Sequence, residues 1–476
     1  MAPGNPRDEV ECGLAAFCPA AMFSALPTVR KLLHHAVPIL IAQLAVMGMM
    51  VADTILVGHF SAVHLAAVAI GSGLYISVVF ALAGVIQAVS PIVAHHYGAG
   101  RDREIATTLH QAVWLALVLS VPGALLLLYP TPLLALSTIP PEVETVCRQY
   151  LAAMAAAIPA SLLNRAFQGF ANAMGKPRVL MLINLLALAV YLPLVAWLIR
   201  GGLGVPALGA LGCALAAATI SWMNLCIATT YLWRAPFFRT YRLFSGWSRP
   251  HWPTLAELGR LGLPMGFSNF VEITSFTLIS LFVARLGAEV IAGHRIVANV
   301  AAVSYMLPLS LAIATLVLVG QAAGGQAWPR ARHNALTGMA VAAAACSALG
   351  LGLWLTAEPL VRLYTNDTRV GAIALALLPY IAVYQLFDAV QTVAGQALRG
   401  YKVSFAPMLA HITCFWGIGL GGGYWLTYRG WDLGPWRTPP MGVAGFWLAS
   451  VVATIAISVL LGGLLLRVIR QHAERD

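Results

Sequence analysis

Apolar segments of 20 residues or more recur along this chain from end to end, separated by short connections. A stretch that long and that apolar is read as a helix crossing a bilayer, where every backbone polar group must be satisfied within the segment. Twelve such segments can be drawn. In the first half they are 35–58, 65–94, 109–129, 150–172, 178–199 and 207–232; in the second, 257–286, 291–321, 335–357, 373–397, 406–428 and 441–466. Only 9% of the 476 residues are charged and 60% are hydrophobic, against about 25% charged in a soluble domain. The expected fold is therefore an all-α integral membrane protein with 12 transmembrane helices.

The net charge of +11 does not point to nucleic acid, because the basic residues form no single stripe. They punctuate loops. Of 28 Lys and Arg residues, 19 fall on one side, which holds the N-terminal tail, the Arg101/Arg103 loop, Lys176/Arg178, the 233–256 linker, Arg330/Arg332, Arg399/Lys402 and the C-terminal tail. The excess of positive charge assigns that side, and both termini, to the cytoplasm. The division expected is an N-terminal tail (1–34), a first six-helix lobe (35–232), a cytoplasmic linker (233–256), a second lobe (257–466) and a C-terminal tail (467–476). Residues 1–21 lack the basic flank of a secretory signal, and Met22 is an alternative start. The seven cysteines show no CxxC spacing, which speaks against a disulfide framework.

The two halves are repeats. A shift of 226 positions aligns Pro38 with Pro264, Val57 with Val283, Ile70 with Ile296, Val93 with Val319 and Gly98 with Gly324; a shift of 225 aligns Gly175 with Gly400. Six spans per half make the repeat parallel, a pseudo-two-fold pair of lobes around a central cavity, as in transporters that rock between two openings. Gly417 to Gly422 matches GxGxxG but lies inside an apolar span with no preceding strand, so it is a chance match. No GxxxxGK[ST] loop is present, so the expected energy source is an ion gradient or the substrate's own gradient.

Of 17 acidic residues, three lie deep in apolar segments: Asp53, Glu272 and Asp388. An ionisable group there costs roughly 2.5–3.5 kcal/mol on insertion scales and marks function by default. A carboxyl group in a low-dielectric pocket takes up a proton more readily than one in water. It can hold a cation when ionised and release it when neutralised, which is the chemistry of antiport. Tyr384 and Asp388 are four apart and share a helix face, and Ser268 and Asn269 flank Glu272. A tyrosine ring there offers a cation–π surface. The acids do not follow the repeat: the shift places Ile279 opposite Asp53 and Val46 opposite Glu272. Buried partners for them would be Arg165, His294 or Arg295.

Pro38-Ile-Leu-Ile-Ala-Gln43 followed by Asp53-Thr54 and Val57-Gly58, Pro264 before Glu272, Gly293-His294-Arg295-Ile-Val-Ala-Asn299 and Arg165-Ala-Phe-Gln-Gly169 carry a resemblance over residues 30–465. The chain resembles the multidrug and toxic compound extrusion (MATE) family, in its NorM-like branch. The resemblance implies that Asp53, Glu272 and Asp388 are the cation-coupling and substrate-binding carboxylates, with Tyr305 and Tyr384 near the last two. Gln43, Thr54, Thr219, Ser268, Asn269 and His294 are further cavity or relay candidates. The family's asparagines around the fifth-span proline are missing from Val190-Tyr191-Leu192-Pro193. Na⁺ is therefore expected at Glu272 and Asp388 rather than at Asp53, where a proton is favoured. The implied function is export of small-molecule drugs, mostly organic cations, in exchange for H⁺ or Na⁺, by a monomer in the bacterial inner membrane, with no cofactor, no nucleic acid and no catalytic residue. The alternatives are a lipid-linked oligosaccharide flippase of the wider superfamily and an integral-membrane lipid enzyme.

Overall fold

The computed structural model describes residues 19–134, 140–202, 204–244, 246–433 and 436–474. The candidate start at Met22 adjoins residues 1–18, which lie outside the described residues together with Cys12 and Cys18. The chain is helical nearly throughout. In the first half the main helices are α1 (Pro19–Gly58), α2 (Ala62–Ile86), α3 (Val89–Gly98), α4 (Asp102–Leu128), α5 (Pro141–Ala155), α6 (Ile158–Ala173), α7 (Pro177–Arg200) and α8 (Ala210–Arg234). The second half holds α9 (Trp252–Val283), α10 (Ala288–Ser304), α11 (Met306–Gly324), α12 (Trp328–Leu355), the short α13 (Ala357–Tyr364) and α14 (Thr368–Gly400). It continues through α15 (Phe405–His411), a π-helical stretch (Ile412–Gly422), α16 (Gly423–Tyr428) and α17 (Val443–Ala473). A short antiparallel pair, Trp431–Leu433 with Trp436–Thr438, sits in the last long loop.

Among the described residues eleven helical segments are long and apolar enough to cross a membrane, counting α2–α3, α10–α11 and the run from α15 to α16 each as one span. The twelfth is the pair α5–α6, bent by 50°. The fourth span expected over 150–172 therefore begins earlier, at Pro141, and breaks between Ala155 and Ile158. Proline at the first turn starts α5, α7, α9 and α12, where its missing N–H leaves nothing unsatisfied. The Asp367 side chain caps α14, accepting from the amides of Arg369 at 2.8 Å and Val370 at 3.3 Å. The GxGxxG stretch is the π-helical segment, with glycine wherever the pattern suggested a phosphate loop.

The largest apolar core runs from Val57 to Met265 and is built almost wholly from the first half; four smaller cores join residues of the second half. One of these takes in Leu32 and Ala36 of α1, which pack on Leu311 and Leu318 of α11. One end of the bundle gathers Arg101, Glu104, Glu257 and Lys402 around His96. We call it the basic end.

At the basic end the two halves meet backbone to backbone. A Cβ on Gly98 would lie 1.8 Å from the Gln321 carbonyl oxygen, and one on Gly324 would lie 2.1 Å from that of His95. These two contacts are one contact seen twice: 321 − 95 and 324 − 98 both equal 226, the repeat shift read from the sequence. The side chains cross over as well. His95 Nε2 pairs with the Gly400 carbonyl oxygen at 2.6 Å, and Gln321 Nε2 donates to that of Ala173 at 2.8 Å. Farther in, α2 and α9 cross with Gly84 against Gly266, where an added Cβ would come within 2.1 Å of the opposing Cα. Small residues of this kind let membrane helices approach closely.

Candidate functional site

The three carboxyls occupy two separate sites. Asp53 lies one turn from the end of α1, partly exposed. Its Oδ1 accepts a short hydrogen bond from the hydroxyl of Tyr191 on α7. Tyr191 is 2% exposed, and the Cys213 sulfur lies 3.9 Å from its hydroxyl. The other first-half candidates are Thr54, Thr219 and Gln43. Thr54 and Thr219 donate their hydroxyls to their own helices, at Met50 and Leu215, and both are exposed. Gln43 is half-buried ten residues before Asp53.

Glu272 on α9 and Asp388 on α14 lie close enough to interact electrostatically. Asp388 is 1% exposed, and its Oδ1 accepts from Gln391 Nε2 at 3.0 Å, which also donates to Thr392 Oγ1. Tyr305 and Tyr384 are electrostatic neighbours of both carboxyls. Tyr384 is buried, whereas Tyr305 is only half so, at the junction of α10 and α11. Two acids and two phenols from three spans thus converge in the second half, whereas Asp53 stands with one phenol in the first. Among the described residues no group of three or more His, Cys, Asp or Glu side chains gathers as a metal cage. A cation at Glu272 and Asp388 would therefore complete its coordination with neutral oxygens.

The remaining candidates divide. Ser268 donates to the Pro264 carbonyl at 2.9 Å, on the turn after the one that proline disrupts. His294 is buried, pairs through Nε2 with Ser280 Oγ at 3.1 Å and packs on Trp447. Arg165 rests over the Phe80 ring and bonds Gln168, and Arg295 is exposed. Among the described residues neither arginine forms an ion pair with an acid.

The basic group that does share the acids' surroundings is Arg399, which sequence reasoning assigned to a cytoplasmic loop. It is 6% exposed, lies one residue from the end of α14 and interacts electrostatically with Glu272 and Tyr305. Its Nη2 donates to Asn269 Oδ1 at 3.3 Å, and Asn269 Nδ2 in turn donates to Gln87 Oε1 at 3.3 Å. Nothing in a terminal Arg separates it from the other topology-setting charges. Gln391, by contrast, is three residues from Asp388 and its contact is legible from helical spacing. Tyr191 stood in the stretch that lacked asparagine; its hydroxyl was the polar group there.

A duplicated bundle of about twelve spans, with acids inside the membrane-spanning helices of each half, defines a polytopic membrane transporter. The sequence profile described as MatE matches residues 38–198 and again 264–425, one match in each half. The chain is 50% identical over 448 residues to a probable multidrug resistance protein NorM of Aromatoleum aromaticum, covering 94% of this chain and 96% of that one. It is 34% identical to the multidrug resistance protein PmpM of Pseudomonas aeruginosa over 449 residues, 93% of each. The fold matches that of the eukaryotic MATE transporter AtDTX14 with a TM-score of 0.83 at 18% identity, over 94% of this chain and 99% of that one. A Vibrio cholerae MATE transporter, VcmN in its bent form, matches at 0.82 and 16% identity, over 94% and 99%. The chain belongs to the MatE family.

Proposed function

We infer that this protein is a multidrug efflux transporter, and we propose that it exchanges organic cations for H⁺ or Na⁺ across the bacterial inner membrane. Relatives named as multidrug resistance proteins match along nearly the whole chain, which supports the export of drugs. The observation that carries the coupling proposal is the pairing of Glu272 with Asp388 beside Tyr305 and Tyr384, within a membrane-spanning bundle. Two carboxyls that interact cannot both be ionised at low cost, so the pair gains by binding a proton or a cation. The phenol rings add an apolar, electron-rich wall suited to a bulky cation. Drug and coupling ion then compete for the same charge. Asp53, with its single phenol partner, is a second and chemically different station in the first lobe.

The test uses proteoliposomes with an imposed proton or sodium gradient and a fluorescent organic cation. Glu272→Gln and Asp388→Asn should each abolish gradient-driven efflux, and Asp53→Asn should reduce it at least tenfold. Coupled efflux unchanged in all three would sink the mechanism. Running the two gradients separately identifies the coupling ion.

A further inference from the structure

We propose that Gln87, Asn269 and Arg399 form a clasp between the two lobes that keeps the empty transporter closed at its basic end, so that a bound cation is needed for movement. The proposal rests on Glu272 being a coupling carboxyl. It makes Arg399 a positioning residue that acts through Asn269.

Gln87 sits between α2 and α3, in the first lobe; Asn269 and Arg399 belong to α9 and α14, in the second. Of the two hydrogen bonds, both 3.3 Å, the one from Asn269 to Gln87 crosses the lobe boundary, and the one from Arg399 holds Asn269 from within the second lobe. They lie beside the close crossing of Gly84 with Gly266, three residues from Gln87 and from Asn269 respectively. Asn269 is also three residues before Glu272, one turn along the same helix. Any motion that parts α2 from α9 at the basic end must break the Gln87 bond.

Arg399 is a charge in a poor place for one. It is buried, its side-chain hydrogen-bond partner is a neutral amide, and among the described residues no carboxylate comes within 4 Å of it. The charged and titratable groups facing it are Glu272, Tyr305 and His411. Glu272 is the anion among them, at a distance where attraction acts without direct contact. In the low dielectric of the interior such an attraction is far stronger than in water. An ionised, unoccupied Glu272 holds the guanidinium toward α9, and the guanidinium holds Asn269 in place for Gln87. A proton, a metal cation or an organic cation at Glu272 cancels that attraction. Arg399 is then better served by water, which reaches it only when the basic end opens. Exchange without leakage needs this behaviour: both loaded forms can move and the empty one cannot.

The experiment uses the full-length protein in proteoliposomes. Flux of a fluorescent organic cation down its own gradient is measured with and without an opposing ion gradient. In a parallel cysteine-free background, Ala173→Cys reports opening, because Ala173 is fully buried where Gln321 crosses from the other lobe. Labelling by an impermeant maleimide from the basic side is followed without any transported cation. Gln87→Leu leaves every charge in place and lies outside the second lobe, so it guards against a misfolded Arg399 variant. Gln87→Leu and Arg399→Gln should each raise ion-independent flux and cation-free labelling about tenfold, and Arg399→Lys should restore the parent behaviour. Parent-like coupling and labelling in Gln87→Leu overturns the clasp. If Glu272→Gln loses coupling while both clasp variants keep it, the clasp alone falls; if Glu272→Gln stays coupled, the assignment of Glu272 falls and takes the clasp with it.

Discussion

A buried carboxyl is defined by its partner, and the three acids of this chain have three kinds. Asp53 has a phenol, Asp388 a carboxamide, and Glu272 a second acid together with a distant guanidinium. The phenol of Tyr191 fixes the orientation of Asp53 from another helix. A hydrogen bond to a charged group contributes about 1.5–3 kcal/mol, which corresponds to roughly tenfold or more in rate. Tyr191→Phe should therefore lower coupled efflux about tenfold while the protein still folds and binds substrate, read as turnover against half-saturating substrate in the same vesicles. Turnover within twofold of the parent would mean that the hydroxyl only fills space. The depth of these acids was legible in the sequence because charges are so scarce around them. Tyr191 and Arg399 were not legible as partners, since each lies more than 120 residues from the acid it serves.

At the scale of the element, glycine decides where helices can touch. Gly98 and Gly324 allow α3 and α11 to cross with backbone against backbone, and each is opposed by a carbonyl that cannot swing aside as a side chain can. Overpacking of such a contact costs about 1–3 kcal/mol. The penalty falls only on the conformation in which the basic end is closed. Gly98→Ala should thus raise maleimide labelling at Ala173→Cys several-fold. Gly73→Ala is the matched control, because a Cβ there meets nothing within 4 Å. Equal labelling in the two variants would refute a closed-state role for the crossing. Proline marks the helices of both sites. Pro38, Pro193, Pro264 and Pro379 lie inside α1, α7, α9 and α14, the helices that carry Asp53, Tyr191, Glu272 and Asp388. A proline inside a membrane helix frees a carbonyl that neighbouring groups must satisfy. The break between α5 and α6 is followed by Pro159, which has no N–H to donate to the Ala155 carbonyl and so cannot carry the helix across; a hydropathy reading passed over it.

For the whole molecule, the repeat sets the motion and the asymmetry sets the chemistry. The crossing of His95 and Gln321 is symmetric, as an axis between two copies requires. The acids are not: one lies in the first lobe and two in the second. Opening at the symmetric contact would expose both sites together, yet each site would meet its cation on its own terms. In a cysteine-free background, a cross-link between Ala173→Cys and Gln321→Cys by a short bifunctional thiol reagent should stop efflux, and cleavage of the cross-link should restore it. Full transport with the lobes tied there would show that the basic end need not open.

The sequence by itself determined the class of fold, the number of spans to within the α5–α6 bend, the duplication, and which acids lie inside the long apolar helices. It could do so because a bilayer makes each span satisfy its own backbone, so that length and hydropathy suffice. The tertiary structure alone decided which side chains meet: Tyr191 with Asp53, Gln391 with Asp388, and Gln87 with Asn269 and Arg399. Those pairings depend on how each helix is turned about its axis and on where glycine lets it approach its neighbour. A helix apolar on nearly every face does not announce its own rotation, so the rotation is set by packing against partners far away in the chain.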